Sequence, residues 1–131
     1  PLAGLHLLLA EDNELNSEIA TTLLEEQGAS ITAVENGRLA LEAIQNAAPR
    51  TYDAILMDVM MPEMNGLEAT RCIRAFEGKG PGEGTPIIAM TANVFADDVK
   101  ACLDAGMNSH VGKPLDMKVL IGEILKYTNA R

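Results

Sequence analysis

Five short apolar runs alternate with five stretches of helical periodicity along these 131 residues, and few architectures accept that order. The runs fall at residues 5–10, 31–34, 54–57, 86–90 and 110–112, the first reading Leu-His-Leu-Leu-Leu-Ala. A strand that is apolar at consecutive rather than alternate positions is buried on both faces. The segments between them, 13–27, 38–47, 66–76, 95–105 and 116–127, each gather apolar residues on one helical face. On 13–27 these are Leu15, Ile19, Leu23 and Leu24, with Gly28 as the stop. On 66–76, Leu67, Thr70, Ile73 and Phe76 are expected to point inward, and on 95–105 Phe95, Val99, Cys102 and Leu103 align on one face. Such alternation implies a parallel sheet between two layers of helix, an open α/β fold. The length suits one core, so a single domain over 1–131 is expected, with 4–128 as its folded part.

Charge and composition narrow the functions open to it. Nineteen acidic residues against ten basic ones leave a net charge of −9. Phosphate binding is driven by Lys and Arg, so neither nucleic acid nor direct contact with an anionic membrane is expected. Cys72 and Cys102 lie far apart without C-x-x-C spacing, which argues against a disulfide framework or a zinc site and fits a reducing cytoplasm. No apolar run reaches the ~18 residues of a membrane span. The N-terminal run breaks at Glu11–Asp12 and lacks a basic leader, unlike a signal peptide. Starting at Pro1 without Met is what a domain cut from a longer chain would do. The glycine-rich stretch 78–84 precedes a strand and matches no phosphate-binding pattern, so it reads as a surface loop.

Open α/β sheets bind ligands at the carboxyl ends of their strands. The residues leaving the five strands are therefore the informative ones. The first run delivers Glu11 and Asp12, the third Asp58, the fourth Thr91, and the fifth Lys113 before Pro114. Three carboxylates at one edge repel: two unit charges 4 Å apart cost about 4 kcal/mol at an effective dielectric of ~20. Such a cluster must bind a cation or hold protons. All-oxygen ligands suit Mg²⁺, with Mn²⁺ and Ca²⁺ as alternatives. Lys113 adds a compact positive charge and Thr91 a hydroxyl donor, both suited to the oxygens of a transferring phosphoryl group. A strand-end cap is the alternative role for Thr91, and a helix N-cap or turn that for Asp58.

Taken in order and spacing, these pieces resemble the receiver domain of two-component response regulators along essentially the whole chain. They are Glu11-Asp12-Asn13, the run from Met57-Asp58-Val59-Met60-Met61-Pro62 to Glu63-Met64-Asn65-Gly66, then Met90-Thr91-Ala92, and Lys113-Pro114. Residues 86–92 and 106–114 look most like receivers attached to hybrid sensor histidine kinases. The resemblance implies a flavodoxin-like (CheY-like) doubly wound sheet of five parallel strands, order 2-1-3-4-5, with five helices. It implies that Asp58 accepts a phosphoryl group from phosphohistidine, in a phosphorelay that switches partner interactions. Asp12 and Asp58 would hold Mg²⁺ with the backbone carbonyl of Met60, Glu11 acting directly or through water. Thr91 and the backbone N–H of Ala92 would grip the phosphoryl oxygens, Lys113 would pair with them, and the Lys113–Pro114 bond would be cis.

The same resemblance implies a histidine kinase or histidine phosphotransfer domain as partner, and a homodimer face on the fourth helix, fifth strand and fifth helix. It also places the chain in the cytoplasm, alone or as the cytoplasmic part of a membrane-bound sensor kinase. The chain leaves no room for an output domain after Tyr127, so it would belong to a longer parent or act by docking. It departs from the family at His110, where a Tyr or Phe ring usually moves with the threonine. That departure bears on the switch formed by Thr91 and His110, not on phosphoryl transfer. The alternative is a receiver-like interaction scaffold that works without phosphorylation. A flavin carrier fits less well, because the loop 11–14 is Glu-Asp-Asn-Glu and would repel a phosphate. A haloacid-dehalogenase-like phosphatase needs a second acid two residues after the first, where Met60 stands.

Overall fold

The structure is a computed structural model and describes residues 2–48, 50–61, 63–80, 83–92, 96–113 and 115–129. Strands and helices alternate as β1 (His6–Ala10), α1 (Glu14–Glu26), β2 (Ser30–Val34), α2 (Gly37–Gln45) and β3 (Ala54–Asp58), then α3 (Gly66–Glu77), β4 (Ile87–Thr91), α4 (Ala96–Ala105), β5 (Ser109–Gly112) and α5 (Met117–Asn129). All strand pairs are parallel, in the order β2-β1-β3-β4-β5. This is the order expected above.

The apolar runs become strands because helices cover both sides of the sheet. Successive residues of a strand point to opposite faces. Leu7 and Leu9 accordingly pack with Leu24, Leu56, Leu120 and Ile124 on the α1 and α5 side. Leu8 packs with Ile55, Met57, Ile73, Ile87 and Cys102 on the side of α2, α3 and α4. Every residue of β3 and β4 is buried. Fully burying one such Leu or Ile contributes about 1.5–3 kcal/mol.

Asparagine starts three of the helices. Asn13, Asn36 and Asn65 each accept a backbone N–H three residues on, from Asn16, Leu39 and Glu68, which satisfies a donor that the first turn leaves open. Gly28 ends α1 region at φ +103, where a side chain would be strained and would also meet Ala3 at 3.0 Å.

Four inward assignments change. Leu15 and Ile19 are exposed on α1, whose buried residues are Ala20 and Leu24. Phe76 is 52% exposed; the inward stripe of α3 runs through Ala69, Thr70, Ile73 and Arg74 instead. The helix is rotated so that a guanidinium, not a ring, faces the strand entries. Leu103 on α4 is likewise exposed. Phe95 and the Lys113–Pro114 bond lie outside the described residues.

Candidate functional site

The strand order sets the site. β1 and β3 lie side by side, with Ala10 opposite Met57, so the residues just beyond, Glu11 and Asp58, leave the sheet as neighbours. β4 follows β3, with Asp58 opposite Met90, and β5 follows β4, with Thr91 opposite Gly112. The chain turns outward in opposite directions from β1 and β3, and the crevice at such a switch point is where this architecture binds ligands.

Glu11, Asp12 and Asp58 each place a carboxylate oxygen within 4.8 Å of the others. The Nζ of Lys113 donates to Asp58 Oδ2 at 2.9 Å and to Glu11 Oε2 at 3.1 Å. Glu11 Oε1 also accepts the Asn13 N–H at 3.1 Å, and Asp58 Oδ1 accepts the Met60 N–H at 3.3 Å. Glu11 and Asp58 are buried, whereas Asp12 is exposed and its side chain has no bonded partner among the described residues. Thr91 is buried at the end of β4, and its carbonyl accepts the Lys113 N–H at 2.8 Å. These residues, with Met60 and Ala92, line a cleft of about 400 Å³. Every acid, base and hydroxyl expected at the strand exits is thus brought to one place. His110 is half-buried on β5, opposite Ala89, and does not line the cleft.

The electrostatics are those of an incomplete charge set. Burial pushes the Glu11 carboxyl above its ordinary value, the nearby Asp58 adds to the rise, and the bonds from Asn13 and Lys113 oppose it. Burial draws the Lys113 ammonium down, but Asp58 and then Glu11 outweigh it, so its value is raised. One ammonium neutralises one of three carboxylates, which leaves two negative charges and an exposed Asp12 facing the cleft. Hard oxygen donors with excess negative charge and room for water fit Mg²⁺.

A larger apolar cavity of about 560 Å³ lies next to the cleft between α1 and α5, lined by Ile19, Leu23, Met90, Leu115 and Met117 and sharing Glu11 and Lys113. Cys102 is buried, and its burial, with the charge of Asp98, raises its thiol. Cys72 is half-buried, and neither thiol lines the cleft.

Sequence reasoning missed two polar networks. Arg74 is buried and donates to the carbonyls of Gly106 and Thr85 at 2.8 Å, to Asn108 Oδ1 at 2.8 Å and to Glu77 Oε1 at 2.9 Å. Asn36 and Arg38 both donate to Glu63 Oε2 at 3.1 Å. The signal for the first was present: Thr70, Ile73, Arg74 and Glu77 follow the spacing of one helical face.

The family model for the response regulator receiver domain matches residues 7–125. The sensor protein GacS of Pseudomonas syringae pv. syringae is 39% identical over 122 residues, covering 93% of this chain and 13% of its own length. This chain therefore spans a small part of that relative. Among solved structures, the receiver domain of the sensor histidine kinase PA1611 from Pseudomonas aeruginosa PAO1, with a magnesium ion coordinated in its active site cleft, has a TM-score of 0.83. It shares 37% identity, covering 97% of this chain and 99% of that one. The receiver domain of Saccharomyces cerevisiae Ssk1, solved in complex with the histidine phosphotransfer protein Ypd1, has a TM-score of 0.85. Its identity is 26%, with coverage of 95% and 89%.

Proposed function

The chain belongs to the response regulator receiver domain family, most like the receivers of hybrid sensor histidine kinases, and on that premise we propose that it accepts a phosphoryl group on Asp58 in a Mg²⁺-dependent reaction. The observation that carries this reading is the bridge from Lys113 to Asp58 and Glu11 beside an exposed Asp12. The donor is the phosphohistidine of a histidine kinase or a histidine phosphotransfer domain. This chain works as a single domain on the cytoplasmic side; among the described residues no helix is long and apolar enough to cross a membrane.

In the proposed step an Asp58 carboxylate oxygen attacks phosphorus, and the bond from phosphorus to the donor imidazole nitrogen breaks. The electron pair stays on that nitrogen, and Asp58 becomes an acyl phosphate. Asp12, Asp58 and the Met60 carbonyl would hold Mg²⁺, with Glu11 close by, and the cation would supply charge neutralisation at the phosphoryl oxygens. Lys113 exchanges its contact with Asp58 for one with the transferred group, and Thr91 and the Ala92 N–H complete the grip. Charge-assisted hydrogen bonds contribute about 1.5–3 kcal/mol each. Moving a two-state equilibrium from 1:99 to 99:1 takes about 5.5 kcal/mol, so these three contacts together approach a full switch and one alone does not. Ile19, exposed on α1 and lining the apolar cavity, and Leu15, exposed on the same helix, offer a donor domain a nonpolar foothold.

Acetyl phosphate with Mg²⁺ tests the reading by intact mass. The native chain gains one phosphoryl group and the Asp58→Asn variant gains none. A native chain that gains nothing overturns the phosphoacceptor reading and leaves a phosphorylation-independent scaffold.

A further inference from the structure

The loop between β3 and α3, residues 59–65, holds a residue whose backbone needs an external restraint. Glu63 stands at φ +65, a region that side chains other than Asn and Asp seldom occupy. Such conformations persist where the surroundings over-determine them. Here the restraint comes from the start of α2. Asn36, buried, donates its Nδ2 to Glu63 Oε2 at 3.1 Å, while its Oδ1 accepts the Leu39 N–H at 2.8 Å. Arg38 donates its Nε to the same carboxylate oxygen at 3.1 Å. Between them the Gly37 N–H donates to the Met64 carbonyl at 2.9 Å. No side chain fits at that position, since a Cβ on Gly37 would lie 2.3 Å from the Met64 oxygen.

Two consecutive loop residues are therefore tied to the cap of α2 and its first two residues. The other end of the loop is the acid cluster: the Met60 N–H reaches Asp58 Oδ1, and the Gly66 N–H donates to the Val59 carbonyl at 2.9 Å. The Met60 side chain is 77% exposed, so the loop takes little fixing from the core at this point. Val59, Met61 and Met64 pack against the core, and the polar ties at Met60 and Glu63 add to that packing.

We propose that Glu63 is a positioning residue: through Asn36 and Arg38 it holds the 59–65 loop in the form that presents the Met60 carbonyl to the cation site, and it links occupancy of that site to the first turn of α2. The inference rests on the cation site proposed above. A half-exposed ion pair between Arg38 and Glu63 would be worth little alone. Its effect comes from fixing a strained backbone whose other end holds the ligands. Coupling of this kind is reciprocal, so a cation bound at Met60 tightens the Gly37 tie.

Two substitutions separate this role from plain support of the fold. Glu63→Gly relieves the left-handed backbone while deleting the carboxylate, and Glu63→Gln keeps an acceptor for Asn36 and Arg38. Mg²⁺ affinity is measured by titration calorimetry, and melting temperature is measured without metal. The Gly variant melts no lower than the native chain yet binds Mg²⁺ about three- to tenfold more weakly, and the Gln variant recovers most of the affinity. In the native chain Mg²⁺ slows amide exchange at Gly37 and Leu39, and in Glu63→Gly it does not. Arg38→Met, which leaves the loop backbone alone, gives a smaller loss of affinity and carries the test if the Gly variant fails to fold. Equal Mg²⁺ affinity in the native and substituted chains, or exchange at Gly37 indifferent to Mg²⁺, overturns this inference alone. A native chain that binds no Mg²⁺ overturns the cation site as well.

Discussion

Lys113 Nζ stands 2.9 Å from Asp58 Oδ2, although β4 lies between the strands that carry the two residues. The lysine reaches across one strand to meet the carboxylate, and its second bond, to Glu11, reaches β1. One side chain thus ties the ends of β1, β3 and β5. The contact proposed to serve phosphoryl transfer also serves the fold.

Removing that ammonium should expose the repulsion it balances. Lys113→Ala is expected to lower the stability of the metal-free chain by about 1–3 kcal/mol, the range for losing a hydrogen-bonded charge that is partly solvated. Added Mg²⁺ should return most of the loss, because the cation replaces the missing positive charge. Urea midpoints with and without Mg²⁺ read both effects, and a loss that Mg²⁺ leaves untouched would contradict the charge argument.

Asp12 should separate binding from folding. It is exposed and without a bonded partner among the described residues, so Asp12→Ala should change stability by no more than about 0.5 kcal/mol. Loss of a ligand carboxylate should still weaken Mg²⁺ by tenfold or more. Calorimetric titration checks it; unchanged affinity would remove Asp12 from the site.

The raised Glu11 carboxyl makes a pH-dependent prediction with a definite sign. A group whose folded value lies above its unfolded value favours the fold when protonated, and that contribution is lost as pH rises through the folded value. The ordinary value is 4.5, and burial is the leading cause of the rise. Metal-free Glu11→Gln should therefore be more stable than the native chain near neutrality, with the advantage shrinking as pH falls toward about 4.5 and gone below it. The raised Lys113 adds the converse at the alkaline end: its contribution is present below 10.5 and fades above it. Denaturant midpoints from acid to neutral pH test the Glu11 claim, and an advantage that grows toward acid would refute it.

Arg74 should matter to stability more than any surface charge. Its guanidinium binds the Thr85 and Gly106 carbonyls, Asn108 and Glu77, and Glu77 in turn accepts from the Thr85 N–H and hydroxyl. Arg74→Ala leaves these groups buried and poorly paired, at about 3–5 kcal/mol. Arg38→Ala, half exposed, should cost about 1 kcal/mol or less. Melting curves compare the two, and equal losses would deny the network its weight.

Most of the site was legible because the residues that form it follow buried strands, and a doubly buried strand is written as consecutive apolar residues. Glu11, Asp12, Asp58, Thr91 and Lys113 could each be found by asking what leaves the sheet. Helix orientation was less legible. A 3.6-residue period identifies a stripe but accepts several neighbouring rotations, so Phe76 looked as suitable for the core as Arg74.

By itself the sequence determined the alternation of elements, the asparagine and glycine punctuation, and the chemical types available at the strand exits. These are local matters, settled by periodicity and by the backbone preferences of single residues. Tertiary structure decided which of them touch. That Lys113 meets Asp58 across β4, that Glu63 is held by Asn36, and that Arg74 joins the entries of β4 and β5 all depend on strand order and helix rotation. These contacts join residues distant along the chain, and only packing against a common sheet sets their distances.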